Sequence, residues 1–361
     1  MFEELLQEWD GEEAVIRFDR ESGAWMFVCV HSTVLGPAGG GTRLRVYARP
    51  GDGLADAMQL SQAMTQKMAA AAMPRGGGKA VLAVPALPEG EARRALLLRY
   101  GELVTSLGGT FHTAGDMNIT PADLDVVAER CPWVYGTTGR GGNSGRGTAR
   151  GVLHGIRASV EHVFGSPDLA GRSVLVQGVG AVGGDLARGL AQEGAEVLVS
   201  DLDTEIAARV AGETGGKAVA PADALATACD VFSPCAAGGL LGAETIPRLR
   251  CRVVAGSANN QLAEPADAER LHAAGILYAP DYVINAGGVL QLLGLEALGW
   301  DEDELERNLA GIGGTLRELY RDADGEGITP SAAAERLVER RLAAGGADAV
   351  VNPRPSPTPA T

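Results

Sequence analysis

The chain has 361 residues, of which 45% are hydrophobic and 21% are charged, a composition typical of a soluble globular protein with enough length for two domains. Its formal net charge of −15 argues against nucleic acid or an anionic membrane surface as a partner. No apolar run is long enough to span a membrane, and the first residues carry no signal-peptide pattern. The five cysteines are odd in number and include no C-x-x-C, so they indicate reduced thiols of a cytoplasmic protein and no metal site.

The first part of the chain is predicted to alternate strands and helices. In chain order the prediction is two strands (14–19 and 25–31), a glycine-rich loop (Gly36 to Gly41), a helix (Leu54 to Met73), a glycine break (76–78), a strand opened by Lys79 (80–84), a helix (89–107), a strand (110–113) and a helix (121–130). This order favours an α/β domain.

The glycine-rich stretch 136–147 is the best candidate for a domain boundary. Strand–helix units follow it up to about residue 278, and two amphipathic helices, at 304–320 and 331–342, are predicted to pack back on the first domain. We therefore predict an α/β fold of two domains separated by a cleft. The first is an N-terminal substrate and oligomerisation domain (1–136, with a C-terminal helix at about 325–345), the second is a Rossmann-type dinucleotide-binding domain (137–324), and a proline-rich tail (346–361) is predicted to be disordered.

The segment 173–201 contains a dinucleotide-binding fingerprint in its required context. An apolar strand precedes Gly178-x-Gly180-x-x-Gly183, a helix follows, and Asp201 closes the next strand. The glycines permit a tight turn, close approach of a pyrophosphate and close helix packing, and the amides of the helix N-terminus, at Ala181 and Val182, face the phosphates. Because a carboxylate accepts from ribose hydroxyls and repels a 2′-phosphate, Asp201 favours NAD over NADP. The alternative is an ordinary βαβ turn with structural glycines.

Lysine is rare in this chain: only Lys67, Lys79 and Lys217 occur among the 31 basic side chains. A desolvated lysine can lose its proton near neutral pH, whereas arginine cannot. Lys67 shares a predicted helical stripe with Leu60 and Met64, which indicates a buried stem, although a snorkelling lysine with its ammonium in solvent is the usual case. Two ammonium groups facing one pocket would lower each other's pKa, so that one could act as a base.

Several segments of this chain resemble the amino-acid dehydrogenases that act on leucine, valine and phenylalanine. The segments are Gly36–Arg43, Met64–Ala69, Gly76–Lys79, Thr113–Asp116, Gly256–Gln261 and Tyr278–Gly288, and the resemblance extends from about Trp9 to Arg341. The family implies reversible, NAD-dependent oxidative deamination of an L-amino acid to a 2-oxo acid and ammonia, in a homo-oligomer assembled through the first domain.

The resemblance also implies roles for individual residues. Lys79 would be the general base, and Asp116 its acidic partner, for which a solvated helix-capping role is the alternative. The implied substrate-binding residues are Lys67 for the carboxylate, Gly40, Gly41 and Asn260, with Ala114, Val289 and Leu292 around the side chain. Further positions that match the cofactor site are Arg43, Ser144, Thr148, Cys235, Ala236, Ala258 and Asn259; for Cys235 a small buried apolar role is preferred to a catalytic thiol.

The chain departs from the common family pattern at two glycines. Gly115 stands where many relatives carry an acidic residue, which changes the charge near the base, and Gly39 stands where leucine-type relatives carry a bulkier residue, so that the pocket is wider or the loop looser. Ala114 and Val289 favour a branched-chain aliphatic substrate, whereas the triple glycine before Lys79 and the segment 292–300 resemble some phenylalanine enzymes. Two other functions stay open: another NAD-linked imine or amine oxidoreductase, and a non-catalytic NAD-binding regulator.

Overall fold

The computed structural model describes residues 6–7, 9–139 and 144–345, and these residues form two compact units. The first unit contains the residues up to 139, residues 295–299 and residues 338–345, and the second contains residues 144–294 and 300–337. The second unit therefore keeps residues 325–337, which we had assigned to the first domain, and lacks residues 295–299. The predicted disordered tail, 346–361, lies outside the described residues.

The strands of the first unit are β1 (Glu13–Asp19), β2 (Ala24–Ser32), β3 (Ala38–Arg45), β4 (Gly76–Ala83) and β5 (Phe111–Gly115), and its helices before residue 140 include α1 (Pro50–Ala70), α2 (Gly90–Ser106) and α3 (Pro121–Ala128). The sheet order is β1-β2-β4-β3-β5, in which β1 and β2 run antiparallel to each other, β2 runs antiparallel to β4, and β3 runs parallel to both β4 and β5. The two-residue period of a strand divides β4 between two cores. Val81 and Ala83 pack with α1 residues such as Leu54 and Met58, whereas Ala80 and Leu82 pack with the core that contains α2 and α3.

Two glycine runs that we predicted as a loop and a break lie in strands instead. Residues 38–41 belong to β3, and Gly76–Gly78 open β4. The cause is close backbone approach: a Cβ on Gly40 would lie 1.7 Å from the carbonyl oxygen of Gly78, and a Cβ on Gly77 would lie 2.1 Å from the amide nitrogen of Thr65 in α1. These glycines therefore allow β3, β4 and α1 to pack closely together just before Lys79 in β4.

The buried face of α1 differs from the predicted stripe. Leu60, Met64 and Lys67 are only half-buried, and the face in contact with the sheet is displaced by one residue, to Ser61, Thr65 and Met68. The reason lies in the packing of the helix on the sheet, because α1 makes its close contact with Gly77 through Thr65. Lys67 as a whole residue is half-buried, so the burial of its stem stays a prediction.

The strands of the second unit are β6 (Ser173–Gln177), β7 (Glu196–Ser200), β8 (Lys217–Ala218), β9 (Val231–Pro234), β10 (Val253–Val254) and β11 (Leu277–Tyr278). Its helices include α4 (Ser144–Phe164), α5 (Ala181–Gln192), α6 (Thr204–Thr214), α7 (Asp267–Ala273), α8 (Asp281–Ile284), α9 (Gly287–Leu293), α10 (Glu302–Glu326) and the first part of α11 (Pro330–Ala344). All neighbouring strands are parallel, in the order β8-β7-β6-β9-β10-β11. This is the doubly wound order of a Rossmann domain, which binds its ligand at the carboxyl ends of the strands next to the switch point between β6 and β9. The predicted two-domain α/β fold class is confirmed.

The C-terminal helices divide between the two units. Helix α10 begins with a capping box of Asp301 and Glu304, ends at Gly327 in the left-handed conformation, and packs on α4, where Ser159 and Tyr320 share a 2.7 Å hydrogen bond. It belongs to the second unit, so our expectation that it packs on the first domain was wrong. In the last turn of α11, by contrast, Nη1 of Arg341 donates to the carbonyl oxygens of Ala69 and Ala70, at 2.8 and 2.6 Å. No helix in the described residues is long and apolar enough to cross a membrane.

Candidate active site

Lys79 lies in the middle of the first unit's sheet, on the face that α1 covers. Its neighbours across the sheet are Cys29 on β2 and Gly41 on β3, and the residue next to Gly41 on β5 is Ala114. A Cβ on Gly41 would lie 2.6 Å from the carbonyl oxygen of Gly115. Lys79 is only 5% exposed, and it is the one lysine among the buried side chains of the described residues. The local register therefore places an ionisable amine on a crowded, largely dry face.

A single carboxylate oxygen holds Lys79 in this position. Nζ of Lys79 lies 3.0 Å from Oδ2 of Asp116, and Nε of Arg43 donates to the same oxygen at 2.8 Å. Arg43 and Asp116 lie two residues beyond Gly41 and Ala114 along their chains, so strand alternation carries them to the same face of the sheet. Two sequence-predicted catalytic residues are thus brought into contact, together with an arginine that we had assigned to the cofactor.

The charges in this cluster change the proton affinity of both partners. Burial lowers the pKa of Lys79, the charge of Asp116 acts in the opposite direction, and the charge of Arg43 adds to the lowering, so that the pKa of Lys79 ends below its ordinary value. Burial raises the pKa of Asp116, but the charges of Lys79 and Arg43 outweigh burial, and that pKa ends below its ordinary range. Asp116 is therefore a carboxylate, and Lys79 releases its proton more readily than an exposed lysine.

The helix-capping alternative for Asp116 is wrong. The cap of α3 is Thr120, whose hydroxyl accepts from the amide of Asp123 while the carboxylate of Asp123 accepts from the amide of Thr120. The carboxylate of Asp116 instead receives Lys79 and Arg43.

The two glycines that depart from the family pattern both lie close to this face. Gly39 lies in β3 with Cε of Met68 placed 3.1 Å from where its Cβ would be, so its position neither opens a pocket nor loosens a loop. A Cβ on Gly115 would lie 3.2 Å from the carbonyl oxygen of Ile119, a tight contact that disfavours a larger residue. Met68 thus fills the space at Gly39.

Of the other predicted substrate residues in the first unit, Gly40 approaches Gly78, and Lys67 lies in the last turn of α1. Because α1 packs on the face that carries Lys79, it brings Lys67 to the same side of the sheet. Lys67 is half-buried, which is compatible with both the substrate-binding role and the snorkelling alternative.

In the second unit, the fingerprint glycines have the geometry that a dinucleotide requires. Gly178 has φ +90°, and a Cβ there would lie 2.6 Å from Cβ of Ala236; a Cβ on Gly183 would lie 1.9 Å from the carbonyl oxygen of Gly178. Around Gly180, by contrast, the space within 4 Å of an added Cβ contains no other atoms. The two outer glycines therefore shape the turn, and the middle one leaves open space at the N-terminus of α5, where the amides of Ala181 and Val182 lie.

Asp201 follows β7 and also orders this turn. Its Oδ2 accepts from the amide of Val179 at 2.8 Å, and its Oδ1 accepts from the amide of Asp203 at 3.0 Å. A carboxylate oxygen has lone pairs for more than one donor, so these bonds leave capacity for a ribose hydroxyl.

The remaining predicted residues of the second unit lie around the ends of its strands and the start of α4. The amide of Cys235 donates to the carbonyl oxygen of Gln177, and the amide of Ala258 donates to that of Pro234. Asn260 has φ +51°, a strained backbone for a residue other than glycine. Ser144 and Thr148 lie in the first turns of α4, where a Cβ on Gly288 would meet Oγ1 of Thr148 at 2.6 Å. Ala236 and Asn259 are exposed, and on α9 Val289 and Leu292 are half-exposed while Leu290 and Leu293 are buried.

The structure also reveals polar residues that sequence reasoning missed. Asp56 accepts from Nη1 of Arg43, at 2.9 and 3.2 Å to its two oxygens, and from the hydroxyl of Tyr47. In the second unit, Nδ2 of Asn285 donates to Oδ1 of Asn259 at 2.9 Å, whereas the buried Oδ1 of Asn285 has no hydrogen-bond partner among the residues that the structure describes. The sequence feature that could have indicated Asp56 is its position on a predicted helix, directly before Ala57 and Met58, which are buried.

A parallel dinucleotide-binding sheet and a separate unit with a buried lysine–carboxylate pair define a nicotinamide-dependent dehydrogenase of amino acids. Residues 16–139 match the family model described as Glu/Leu/Phe/Val dehydrogenase, dimerisation domain, and residues 203–335 match that described as Glutamate/Leucine/Phenylalanine/Valine dehydrogenase. The chain belongs to this family, as predicted, and is an amino-acid dehydrogenase.

Individual relatives agree with the family models. The chain is 39% identical over 340 residues to a leucine dehydrogenase of Geobacillus stearothermophilus, which covers 93% of this chain and 92% of the relative. It is 43% identical over 338 residues to a valine dehydrogenase of Streptomyces albus, covering 92% of each chain. The crystal structure of an L-tryptophan dehydrogenase from Nostoc punctiforme superposes with a TM-score of 0.82 at 37% identity, over 95% of this chain and 98% of that one.

Proposed function

We propose that this protein catalyses the reversible, NAD-dependent oxidative deamination of an L-amino acid to its 2-oxo acid and ammonia. The observation that carries the proposal is the buried contact between Nζ of Lys79 and Oδ2 of Asp116. A lysine with a lowered pKa can alternate between a neutral base and an ammonium acid, which the deamination requires twice in each turnover.

In the proposed mechanism Lys67 keeps its charge and binds the substrate carboxylate, and neutral Lys79 removes a proton from the water that attacks the imine carbon. Lys79 then returns the proton to the departing amine. Between these two proton transfers the Asp116 carboxylate stabilises the ammonium form of Lys79. When bound, NAD⁺ supplies the oxidant by accepting a hydride; the open space at Gly180, the amides of Ala181 and Val182, and Asp201 fit its phosphates and ribose.

A panel of L-amino acids, offered with NAD⁺ or NADP⁺ and followed by the absorbance of the reduced cofactor, tests this function. Turnover of primary L-amino acids with release of ammonia supports it. Activity only on secondary amines would favour a different imine oxidoreductase, and NAD binding without turnover would favour a regulator. Both results would contradict the proposal.

We propose a branched-chain aliphatic substrate, such as leucine or valine. The proposal is supported by the apolar, half-exposed side chains of Val289 and Leu292 on one face of α9, by Ala114 beside Gly41 in the first unit, and by the relatives named leucine and valine dehydrogenases. The tryptophan dehydrogenase relative and the phenylalanine-like segments make aromatic amino acids the second candidates. A methylene changes discrimination by only about 1–3 kcal/mol, so kcat/KM must be compared across the panel.

Replacing Lys67 by alanine is expected to raise the KM for the amino acid about 100-fold with a smaller effect on kcat, because a lost charge-assisted contact weakens ground-state and transition-state binding alike. Steady-state kinetics at saturating NAD⁺ measure both constants. An equal loss of kcat would show instead that Lys67 acts in the chemical step.

Replacing Asp201 by alanine is expected to weaken NAD⁺ about tenfold or more and to reduce the preference for NAD⁺ over NADP⁺. The carboxylate both bonds the ribose and orders the turn through the amide of Val179. Binding of each cofactor, measured by fluorescence titration, checks this. Asp223→Ala, which removes an exposed carboxylate from the same unit, is the control, and an unchanged NAD⁺/NADP⁺ ratio in Asp201→Ala would remove Asp201 from the cofactor site.

We further propose that the protein is a cytoplasmic homo-oligomer assembled through the first unit. Support comes from the name of the family model that matches residues 16–139, which describes a dimerisation domain, and from the five free cysteines, which suit a reducing compartment. Light scattering on the purified protein measures the number of subunits.

A further inference from the structure

The charged cluster beside Lys79 extends past the residues that the proposed reaction uses. The hydroxyl of Tyr47 donates to Oδ2 of Asp56, and Asp56 accepts from Nη1 of Arg43 with both oxygens, at 2.9 and 3.2 Å. Nε of Arg43 donates to Oδ2 of Asp116 at 2.8 Å, and the same oxygen lies 3.0 Å from Nζ of Lys79. A continuous series of contacts therefore joins Tyr47 to the base.

The contacts of this series are largely shielded from solvent, unlike those of an ordinary surface ion pair. The side chains of Arg43 and Asp56 are 16% and 19% exposed. Asp52, one turn before Asp56 in α1, pairs with Arg49 at the start of the helix, and these side chains are 37% and 78% exposed. A guanidinium held through two different edges by two carboxylates has little freedom to reorient, because each hydrogen bond fixes its plane. Exposed pairs such as Arg49–Asp52 contribute little to geometry or stability.

We propose that Arg43, Asp56 and Tyr47 are positioning residues for the base. Asp56, oriented by Tyr47, fixes the guanidinium of Arg43. Arg43 in turn fixes the Asp116 carboxylate against Lys79, and its charge tunes the proton affinity of Lys79. This inference rests on the proposed role of Lys79 as the base. It is compatible with the predicted cofactor role of Arg43, since Nη2 of Arg43 makes no hydrogen bond to any described residue and keeps two donors for a ligand.

The groups that act on Lys79 come from the neighbouring elements: Cys29 is its partner on β2, and the charges are those of Arg43 from β3, Asp116 from the end of β5 and Asp56 from α1. Lys67 is the other titratable group on α1 near its C-terminal end. Burial raises the pKa of Cys29 to about 12, so its thiol is neutral. Among the charges in the series, that of Arg43 lowers the pKa of Lys79, whereas those of Asp116 and Asp56 raise it. Removing Arg43 and removing Asp56 must therefore displace the titration of the base in opposite directions.

The test is the pH dependence of kcat/KM for the best L-amino acid of the panel at saturating NAD⁺, where the acidic limb reports the Lys79–Asp116 pair. Arg43→Gln is expected to move this limb to higher pH, and Asp56→Asn to lower pH, each by about threefold in the apparent acid constant. Both variants are expected to lose about tenfold in kcat because Asp116 is no longer fixed. The KM for NAD⁺ is expected to stay within twofold in Asp56→Asn.

Three further variants separate positioning from general damage. Asp56→Glu keeps the negative charge and is expected to have the acidic limb of kcat/KM at the wild-type pH. Tyr47→Phe is also expected to keep the wild-type limb, but to lose about threefold in kcat. Asp52→Asn, the same chemical change one turn earlier in α1, is the matched control and is expected to behave as wild type. Limbs of Arg43→Gln and Asp56→Asn that stay fixed or move together would overturn the inference. If Asp56→Asn does not fold, a wild-type kcat in Tyr47→Phe overturns it.

A second readout does not depend on turnover. Trace acetylation by acetic anhydride at a series of pH values, quantified at Lys79 by peptide mass spectrometry, follows the neutral fraction of this amine. The same opposite displacements are expected in Arg43→Gln and Asp56→Asn, and their absence overturns the inference. If the wild type oxidises no L-amino acid but the two variants still shift the acetylation of Lys79 in opposite directions, the proposed function is refuted and the positioning role stands.

Discussion

Replacing Lys79 by alanine is expected to lower kcat for oxidative deamination about 1,000-fold or more, while the dissociation constant for NAD⁺ changes by less than about twofold. A positioned general base contributes about 10²–10⁴ in rate, and Lys79 serves both proton transfers of the proposed mechanism. The cofactor constant should not respond, because the fingerprint turn and Asp201 lie in the second unit and Lys79 lies in the first.

The Lys79→Ala protein should fold, since Nε of Arg43 still pairs with Oδ2 of Asp116 when the ammonium is gone. The carboxylate is then not left as an uncompensated buried charge, which would be strongly destabilising. Steady-state rates, fluorescence titration with NAD⁺ and thermal unfolding measure the three properties. Lys217→Ala, at the exposed start of β8, is the control and should match wild type; retention of more than a tenth of kcat by Lys79→Ala would exclude it as the base.

Replacing Gly40 by alanine is expected to lower the free energy of unfolding by about 3 kcal/mol or more and to abolish measurable activity. The new Cβ would lie 1.7 Å from the carbonyl oxygen of Gly78 and 3.3 Å from Cα of Lys79. Since that carbonyl belongs to β4, the clash can be relieved only by separating β3 from β4, which displaces Lys79 from Asp116.

Chemical denaturation followed by circular dichroism measures this loss. Gly51→Ala is the matched control, because an added Cβ there meets no atom within 4 Å and the residue lies in the first turn of α1. It should leave stability unchanged or raise it by up to about 1 kcal/mol. A Gly40→Ala protein as stable as Gly51→Ala would show that the two strands can separate without cost.

The features that were predictable from sequence are those with a local code. The turn at Gly178–Gly183 needs its own glycines, the strand before it and the helix after it, and all of these are contiguous in the chain. The Lys79–Asp116 pair was predictable only through the family resemblance. Lys79 lies on β4 and Asp116 follows β5, so the two meet across β3 in a register that no local pattern reveals.

The errors also have physical causes. Glycine in a sequence is evidence for conformational freedom, but Gly40 and Gly77 are needed for space in straight strands, and only the packing of α1 and β4 shows this. The buried stripe of α1 was displaced by one residue because Thr65, a polar residue, makes the close contact with the sheet. Asp56 was missed because its partners Arg43 and Tyr47 precede α1 in the chain, and their contact depends on how the helix lies on the sheet.

The hydrogen bonds from Arg341 to the carbonyl oxygens of Ala69 and Ala70 have a consequence for the synthesis of the protein. The last carbonyl groups of a helix have no partner in the helix's own hydrogen-bond ladder. The carbonyl oxygen of Ala69 accepts from the amide of Ala72, and Arg341, from the far end of the chain, adds a donor to the carbonyl oxygens of both Ala69 and Ala70. During translation more than 270 further residues, including the entire second unit, must follow α1 before Arg341 can reach its last turn, which carries Lys67. A chain released before residue 338 would therefore contain every residue of the nucleotide-binding unit but lack the donor that the C-terminal segment contributes to α1 of the substrate unit.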